Sequence, residues 1–254
     1  MEENDKSGRL GIGLFVAVIA AGIGIYRFAA APPPAPTAPE AAAPAPAAPP
    51  APAAPAVALP RLEESDAFVR GRAAALSADP VFAAWLKSDD LIPRLAAAAS
   101  MLAAGKVPKD ALKSLAPRSK FSVLRRGGKL FMDPRSGARY DAFARAVSSV
   151  DAAAAAALFR DAKPLFQEGW NALGEKGADV QDVVLRAAAE LLRAPVLTGR
   201  EELAEGKKGI GYVYADAGLE RLSPAQKQLL RMGPKNAAAV QAKLAELSAA
   251  LGAK

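Results

Sequence analysis

Side chains that move protons, attack carbonyls or hold metals set what a chain can do chemically, and two of them are missing here. The 254-residue chain has no histidine and no cysteine. A Ser-His-Asp triad, a histidine general base, a thiol nucleophile and a His/Cys zinc site are therefore excluded. Carboxylate, Tyr, Lys and Ser chemistry is left. Asp89-Asp90 has the composition of an acid/base or metal-binding pair. It stands just before an apolar helical run, where an acidic N-cap satisfies orphan N–H groups, so capping is the expected role. Glu63-Glu64 and Glu201-Glu202 read as solvated charges. "GKKGIG", from Gly206, fits neither G-x-x-x-x-G-K-[ST] nor G-x-G-x-x-G and reads as a turn into a strand. No serine is followed three residues later by lysine, so the S-x-x-K nucleophile pattern is absent. No catalytic, cofactor-binding or metal-binding residue is assigned, and no cofactor is expected.

The most distinctive stretch is "LSPAQKQLLRMGPKNAAAVQAKLAEL", from Leu222. Ser223 and Pro224 are suited to N-cap and first helical position. Gly233 stops that helix, and Pro234 opens the next. The reading is an ordinary helical corner rather than a DNA-binding helix-turn-helix. Leu229, Leu230 and Met232 should be buried, with Gly233 in left-handed backbone. Arg231, between buried neighbours, then needs a carboxylate or carbonyl partner. Asp141 and Glu220 are the candidates, with Tyr140 packing nearby. Tyr140, Asp141, Glu220, Arg231, Gly233, Pro234 and Asn236 thus form a candidate cluster, either a lock on the fold or the lining of a ligand-accepting groove.

Helical periodicity supplies the elements that position this cluster. Val81, Phe82, Trp85 and Leu86 make one apolar face. Leu91, Leu95, Ala98 and Leu102 make a second, closed by Gly105. Leu158 to Phe166 gives a third, which Pro164 should kink or divide. Val180, Val183, Val184, Ala187, Leu191 and Leu192 form the clearest stripe, and Val240, Leu244, Leu247 and Leu251 the last. "FSVLRRGGKLFM" reads as a hairpin turning at Gly127-Gly128. "KKGIGYVYAD" offers one more short strand. The predicted fold class is mainly α, a single helical domain over residues 61–254 with a small β-hairpin attachment.

A different kind of sequence precedes it. "LGIGLFVAVIAAGIGIY", Leu10 to Tyr26, carries no charge and as a helix would span about 26 Å. Phe28 and a snorkelling Arg27 extend it, so residues 10–28 are predicted to be a transmembrane signal anchor. The rival, a cleaved signal peptide, has an unusually acidic n-region and a poor cleavage context. Lys6 and Arg9 put the tail at 1–9 in the cytoplasm and the C-terminal domain on the exported side. Gly13, Ala17 and Ala21 have the spacing of a homo-oligomer contact in the bilayer. Residues 31–60 hold 12 prolines. Residues 29–60 read as a disordered Pro/Ala linker of polyproline II character.

Net charge is +7, with pI ≈ 9.7. Residues 1–60 hold three basic and four acidic side chains, so the remainder bears +8. The dispersed Trp and Tyr give no base-stacking platform, and no nucleic-acid partner is expected. The LLRMGP corner, with "SDAFVR" at Ser65, "DDLI" at Asp89, "ARYDAF" at Ala138 and "KPLF" at Lys163, resembles the bacterial family called domain of unknown function 3014. The likeness covers nearly all of residues 61–254. It implies a membrane helix and a Pro/Ala spacer ahead of the domain, and with the charge pattern it implies a bacterial inner-membrane anchor and a periplasmic domain; it implies no activity. The expected function is a single-pass envelope protein presenting a helical binding or scaffolding domain to an envelope protein or glycan. The alternative is a membrane-tethered enzyme acting on envelope material through carboxylate, Tyr or Lys groups.

Overall fold

The computed structural model describes residues 58–252 except 112, 176 and 210. The anchor predicted at 10–28 and the linker as far as residue 57 lie outside the described residues. Among those described, no single helix is long and apolar enough to cross a membrane.

Short polar caps start most of the helices. α1 covers Ser65–Ala73, α2 Pro80–Trp85 and α3 Leu91–Ala103. Asp79 caps α2 by accepting from the Val81 N–H at 2.7 Å, with Pro80 fixing the first helical φ. Asp90 does not cap α3 in the predicted way. It sits at φ 56°, and the Asp66 side chain of α1 accepts from the Asp90 and Leu91 N–H groups at 2.9 and 2.8 Å. α4 (Pro134–Ala138) and α5 (Asp141–Ser148) follow a hairpin, and α6 (Ala152–Asp161) and α7 (Lys163–Ala172) are divided just before Pro164 as that residue requires. α8 is Val180–Leu192, α9 Ala217–Glu220, α10 Pro224–Leu230 and α11 Pro234–Gly252.

α3, α8 and α11 carry the core. α3 packs on α7 and α8, and α11 on α5, α6 and α8. Phe82, Leu91, Ile92, Val184 and Leu244 are fully enclosed, and Trp85 is buried as predicted from its helical face. Gly169 lets α7 close on α3, since a Cβ there would stand 2.9 Å from Ile92 Cγ2. Leu59 already packs against this core.

The β part is larger than the predicted hairpin. β1 (Val123–Arg126) and β2 (Lys129–Met132) turn at Gly127 and Gly128, whose φ values of 55° and 77° suit a type I′ turn. β3 (Glu202–Glu205) and β4 (Tyr212–Tyr214) complete an antiparallel sheet in the order β1-β2-β3-β4. Glu202 is therefore not a free solvated charge. It stands opposite Phe131, and its carboxylate accepts from Lys129 Nζ at 2.6 Å. Leu130, Leu203 and Tyr214 share the buried face, while Leu124, Phe131 and Val213 lie half-buried on the other.

Candidate functional site

The corner between α10 and α11 is built on a capping box, in which Ser223 and Gln226 satisfy each other's backbone N–H groups. Leu229, Leu230 and Met232 are each 2% exposed, which fixes the corner in the core. Gly233 has φ 80° and accepts from the Ala237 N–H at 2.9 Å, starting α11. It also meets α4. A Cβ on Gly137 would fall 3.1 Å from the Met232 carbonyl oxygen and 3.4 Å from Gly233 Cα, so two glycines allow two backbones to touch.

Asn236 fastens this contact. Its Nδ2 donates to the Gly137 carbonyl at 3.0 Å, to Asp141 Oδ1 at 2.8 Å and to the Met232 carbonyl at 3.2 Å. One buried amide thereby ties α4, α5 and the corner together. Tyr140, also buried, accepts from Gln228 Nε2 at 2.7 Å. Burial pushes its phenol above the ordinary value.

Arg231 is not paired with either predicted carboxylate. Its Nη2 donates to the Tyr212 carbonyl at 2.7 Å, and its guanidinium lies 5.9 Å from the Phe121 ring centre. Asp141 belongs to Asn236 instead. Glu220 accepts from Lys227 Nζ at 2.6 Å and from the Tyr214 N–H at 2.9 Å. Burial pushes the Glu220 carboxyl up, but these two bonds outweigh it and hold it below its usual range. Burial also drives the Tyr214 phenol up to about 12.

These contacts have one geometric cause. The Ala215 N–H donates to the Glu202 carbonyl and the Gly206 N–H to the Gly211 carbonyl, each at 2.9 Å. In an antiparallel ladder that parity turns the N–H and C=O groups of Tyr212 and Tyr214 away from β3. Arg231 and Glu220 fill one outward acceptor and one outward donor of the four, so side chains cover half of the β4 edge.

The predicted cluster therefore falls into three places. Glu220 and Arg231 serve the β4 edge, and Tyr140 lies inside. Asp141, Gly233, Pro234 and Asn236 line a groove of about 370 Å³ with Met132 and Pro134. The turn Thr198–Glu201 forms its far wall. Glu201 holds that turn by accepting from the Thr198 and Gly199 N–H groups at 2.8 and 3.0 Å. A Cβ on Gly199 would stand 3.4 Å from Pro234 Cγ. A neighbouring hollow of about 340 Å³ shares Met132, Pro134 and Gly199 and runs onto Leu124 and Phe131. Asp133, which caps α4 beside the groove, is held to about 2 by its Arg135 ion pair.

Gln228, Phe121, Tyr212 and the Thr198–Glu201 turn are absent from the predicted cluster. Only the Thr-Gly pair carried a local signal, that of a turn. Among the described residues no group of three or more Asp or Glu is gathered to hold a metal ion. Chemically the groove offers contact: an apolar floor, backbone edges, one engaged carboxylate and the exposed Lys235.

A family model described as "Protein of unknown function (DUF3014)" matches residues 91–248. "SDAFVR" at Ser65 precedes the matched span. No curated protein and no solved structure matches the chain.

Proposed function

The chain belongs to DUF3014, a family of proteins of unknown function, and from that premise we propose that it presents a helical interaction domain in the bacterial cell envelope. Residues 10–28 anchor it in the inner membrane, the N-terminus stays cytoplasmic, and the Pro/Ala stretch at 29–60 spaces the domain from the bilayer. The uncharged run from Leu10 to Tyr26 and the basic residues Lys6 and Arg9 before it support that topology. The corner groove is the partner-binding surface.

One observation carries the interaction reading. Around the groove Asp141, Asn236, Thr198 and Glu201 are engaged in hydrogen bonds, leaving Lys235 exposed, while an apolar floor of Met132, Pro134 and Pro234 stays open to solvent. Val196, 76% exposed, extends this apolar character onto the loop leading to Thr198. Such a surface suits an apolar or proline-bearing segment of an envelope protein. The enzyme reading has less support, because Tyr140 and Glu220 are occupied by Gln228, Lys227 and the Tyr214 N–H.

Topology is tested with single cysteines, which the cysteine-free chain makes clean. On intact inner-membrane-bounded cells an impermeant maleimide is expected to label Ser119→Cys and spare Ser7→Cys. The reverse pattern places the domain in the cytoplasm.

The groove is tested in the full chain in native membranes. A benzophenone carried on Thr198→Cys is expected to give a discrete crosslinked species, and one on Glu246→Cys, on the exposed side of α11, none. Ala138→Trp should fill the groove and abolish that species. Its stability should stay within about 0.5 kcal/mol, as for most surface changes. Equal crosslinking from both cysteines, or crosslinking indifferent to Ala138→Trp, rejects the groove as the binding surface.

A further inference from the structure

The two edges of the sheet differ. On the β4 edge Arg231 and Glu220 engage two of the four outward backbone groups. At β1, the Asp133 N–H donates to the Ser122 carbonyl at 3.1 Å, which fixes the parity of the hairpin ladder. Leu124 and Arg126 then face β2, and the N–H and C=O groups of Val123 and Arg125 face outward. Among the described residues no hydrogen bond reaches those four groups. An exposed strand edge of this kind is a template for pairing with another extended chain.

Charge selects the occupant. Residues 117–132 contain five Arg or Lys and no Asp or Glu. Of the β1 arginines, Arg125 has only a 3.8 Å exposed contact with Glu205, and Arg126 makes no ion pair among the described residues. A second copy added antiparallel would bring Arg125 diagonal to, or directly opposite, Arg125 of the first on one face of the ribbon, an unfavourable cross-strand arrangement of like charges. An acidic strand meets the same side chains favourably. We propose that β1 accepts an extended acidic segment of a partner protein as a fifth strand, hydrogen-bonded to Val123 and Arg125 and neutralising Arg125 and Arg126. This is β-augmentation, with main-chain bonds giving affinity and alternate side chains giving selectivity. The strand edge is distinct from the corner groove, although the hollow beside that groove reaches Leu124 and Arg126 on the face of β1, and strand addition does not depend on the groove being filled.

The probe is an acetylated, fluorescein-labelled heptapeptide alternating glutamate and valine, added to the full chain in lipid nanodiscs. Anisotropy is expected to report saturable, salt-sensitive binding, and hydrogen exchange should slow at the Val123 and Arg125 amides. Arg125→Ala removes a charge and keeps the N–H, and should weaken binding about threefold. Arg125→Pro removes the outward N–H without touching a ladder bond, a placement proline tolerates on an edge strand. It should weaken binding by about tenfold or more. A doubly reversed variant, Arg125→Glu with Arg126→Glu, should bind the lysine–valine counterpart instead, which guards against misfolding of the proline variant. Ala138→Trp should leave peptide binding unchanged. Equal losses in Arg125→Ala and Arg125→Pro would reduce the site to a charged patch and overturn strand addition. So would protection at Tyr212 and Tyr214 rather than β1, equal affinity of the wild-type chain for both peptides, or no binding at millimolar peptide.

Discussion

Asn236→Asp is expected to destabilise the domain by about 3–5 kcal/mol at neutral pH, the range for an uncompensated buried charge. The substitution preserves shape and inverts chemistry. Asn236 is 5% exposed, and its amide donates to the Gly137 and Met232 carbonyls and to Asp141. A carboxylate in its place has no proton for any of the three and faces the charge on Asp141. For a domain of this size the midpoint of thermal unfolding should fall by roughly 6–20 °C. The sign of the pH dependence follows from burial and the Asp141 charge. Both raise the introduced carboxyl's folded-state pKa above its unfolded value near ~3.9. The destabilisation is then full above the folded pKa. It is relieved as pH falls through that value towards ~3.9, where the neutral acid regains one donor. Asn236→Ala leaves the acceptors unpaired at every pH and should cost about 2 kcal/mol throughout. Urea unfolding of both variants at pH 7 and at pH ~4.5 separates them. An Asn236→Asp penalty below about 1 kcal/mol, or one independent of pH, would remove this amide from the centre of the corner.

The second large effect is expected at Gly233→Val, about 3 kcal/mol from left-handed strain in a β-branched residue plus crowding. The φ of 80° is costly for any side chain, and the new Cβ would lie 3.4 Å from Gly137 Cα and 3.5 Å from Met132 Cε. The β-carbon itself is accommodated, so Gly233→Ala should cost only about 1–2 kcal/mol, and the γ-methyls account for the rest. Gly127→Ala is the control. It carries a positive φ of 55° with open space around the added carbon, so it should lose about 1 kcal/mol through strain alone. Thermal unfolding of the three variants checks the order. Gly233→Val no worse than Gly127→Ala would show that α4 and the corner do not meet as closely as Gly137 and Gly233 require.

The helices were legible because their signals are local. Apolar stripes at helical spacing located α2, α3, α8 and α11, Pro164 divided α6 from α7, and Ser223-Pro224 and Gly233-Pro234 marked the corner. Two adjacent glycines announced the hairpin turn. The cap of α3 was not readable next to Leu91, because the accepting carboxylate is Asp66, on a helix 25 residues earlier. β3 was missed for a related reason. "ELAE" has little strand character of its own, and its pairing with β2 joins residues some 70 positions apart. Once β3 was missing, the edge of β4 was invisible, and so was the Tyr212 carbonyl to which Arg231 donates. The corner residues were found, but the roles of Glu220 and Arg231 on the β4 edge, apart from the groove wall and the interior Tyr140, depend on strand parity. That property emerges only when the sheet is assembled.

The half-covered β4 edge also bears on how many strands the sheet can accept. A sheet with two open edges is bivalent: each added strand exposes a fresh edge on a neighbouring molecule, and assembly continues into fibres. Here Arg231 and Glu220 obstruct one edge by engaging the Tyr212 carbonyl and the Tyr214 N–H, which leaves β1 the freer edge. Two copies joined through β1 would turn only their obstructed β4 edges outward, an arrangement that favours a pair over a polymer. An arginine and a glutamate at opposite ends of a short segment, Glu220 to Arg231, thus act as a brake on strand addition at β4.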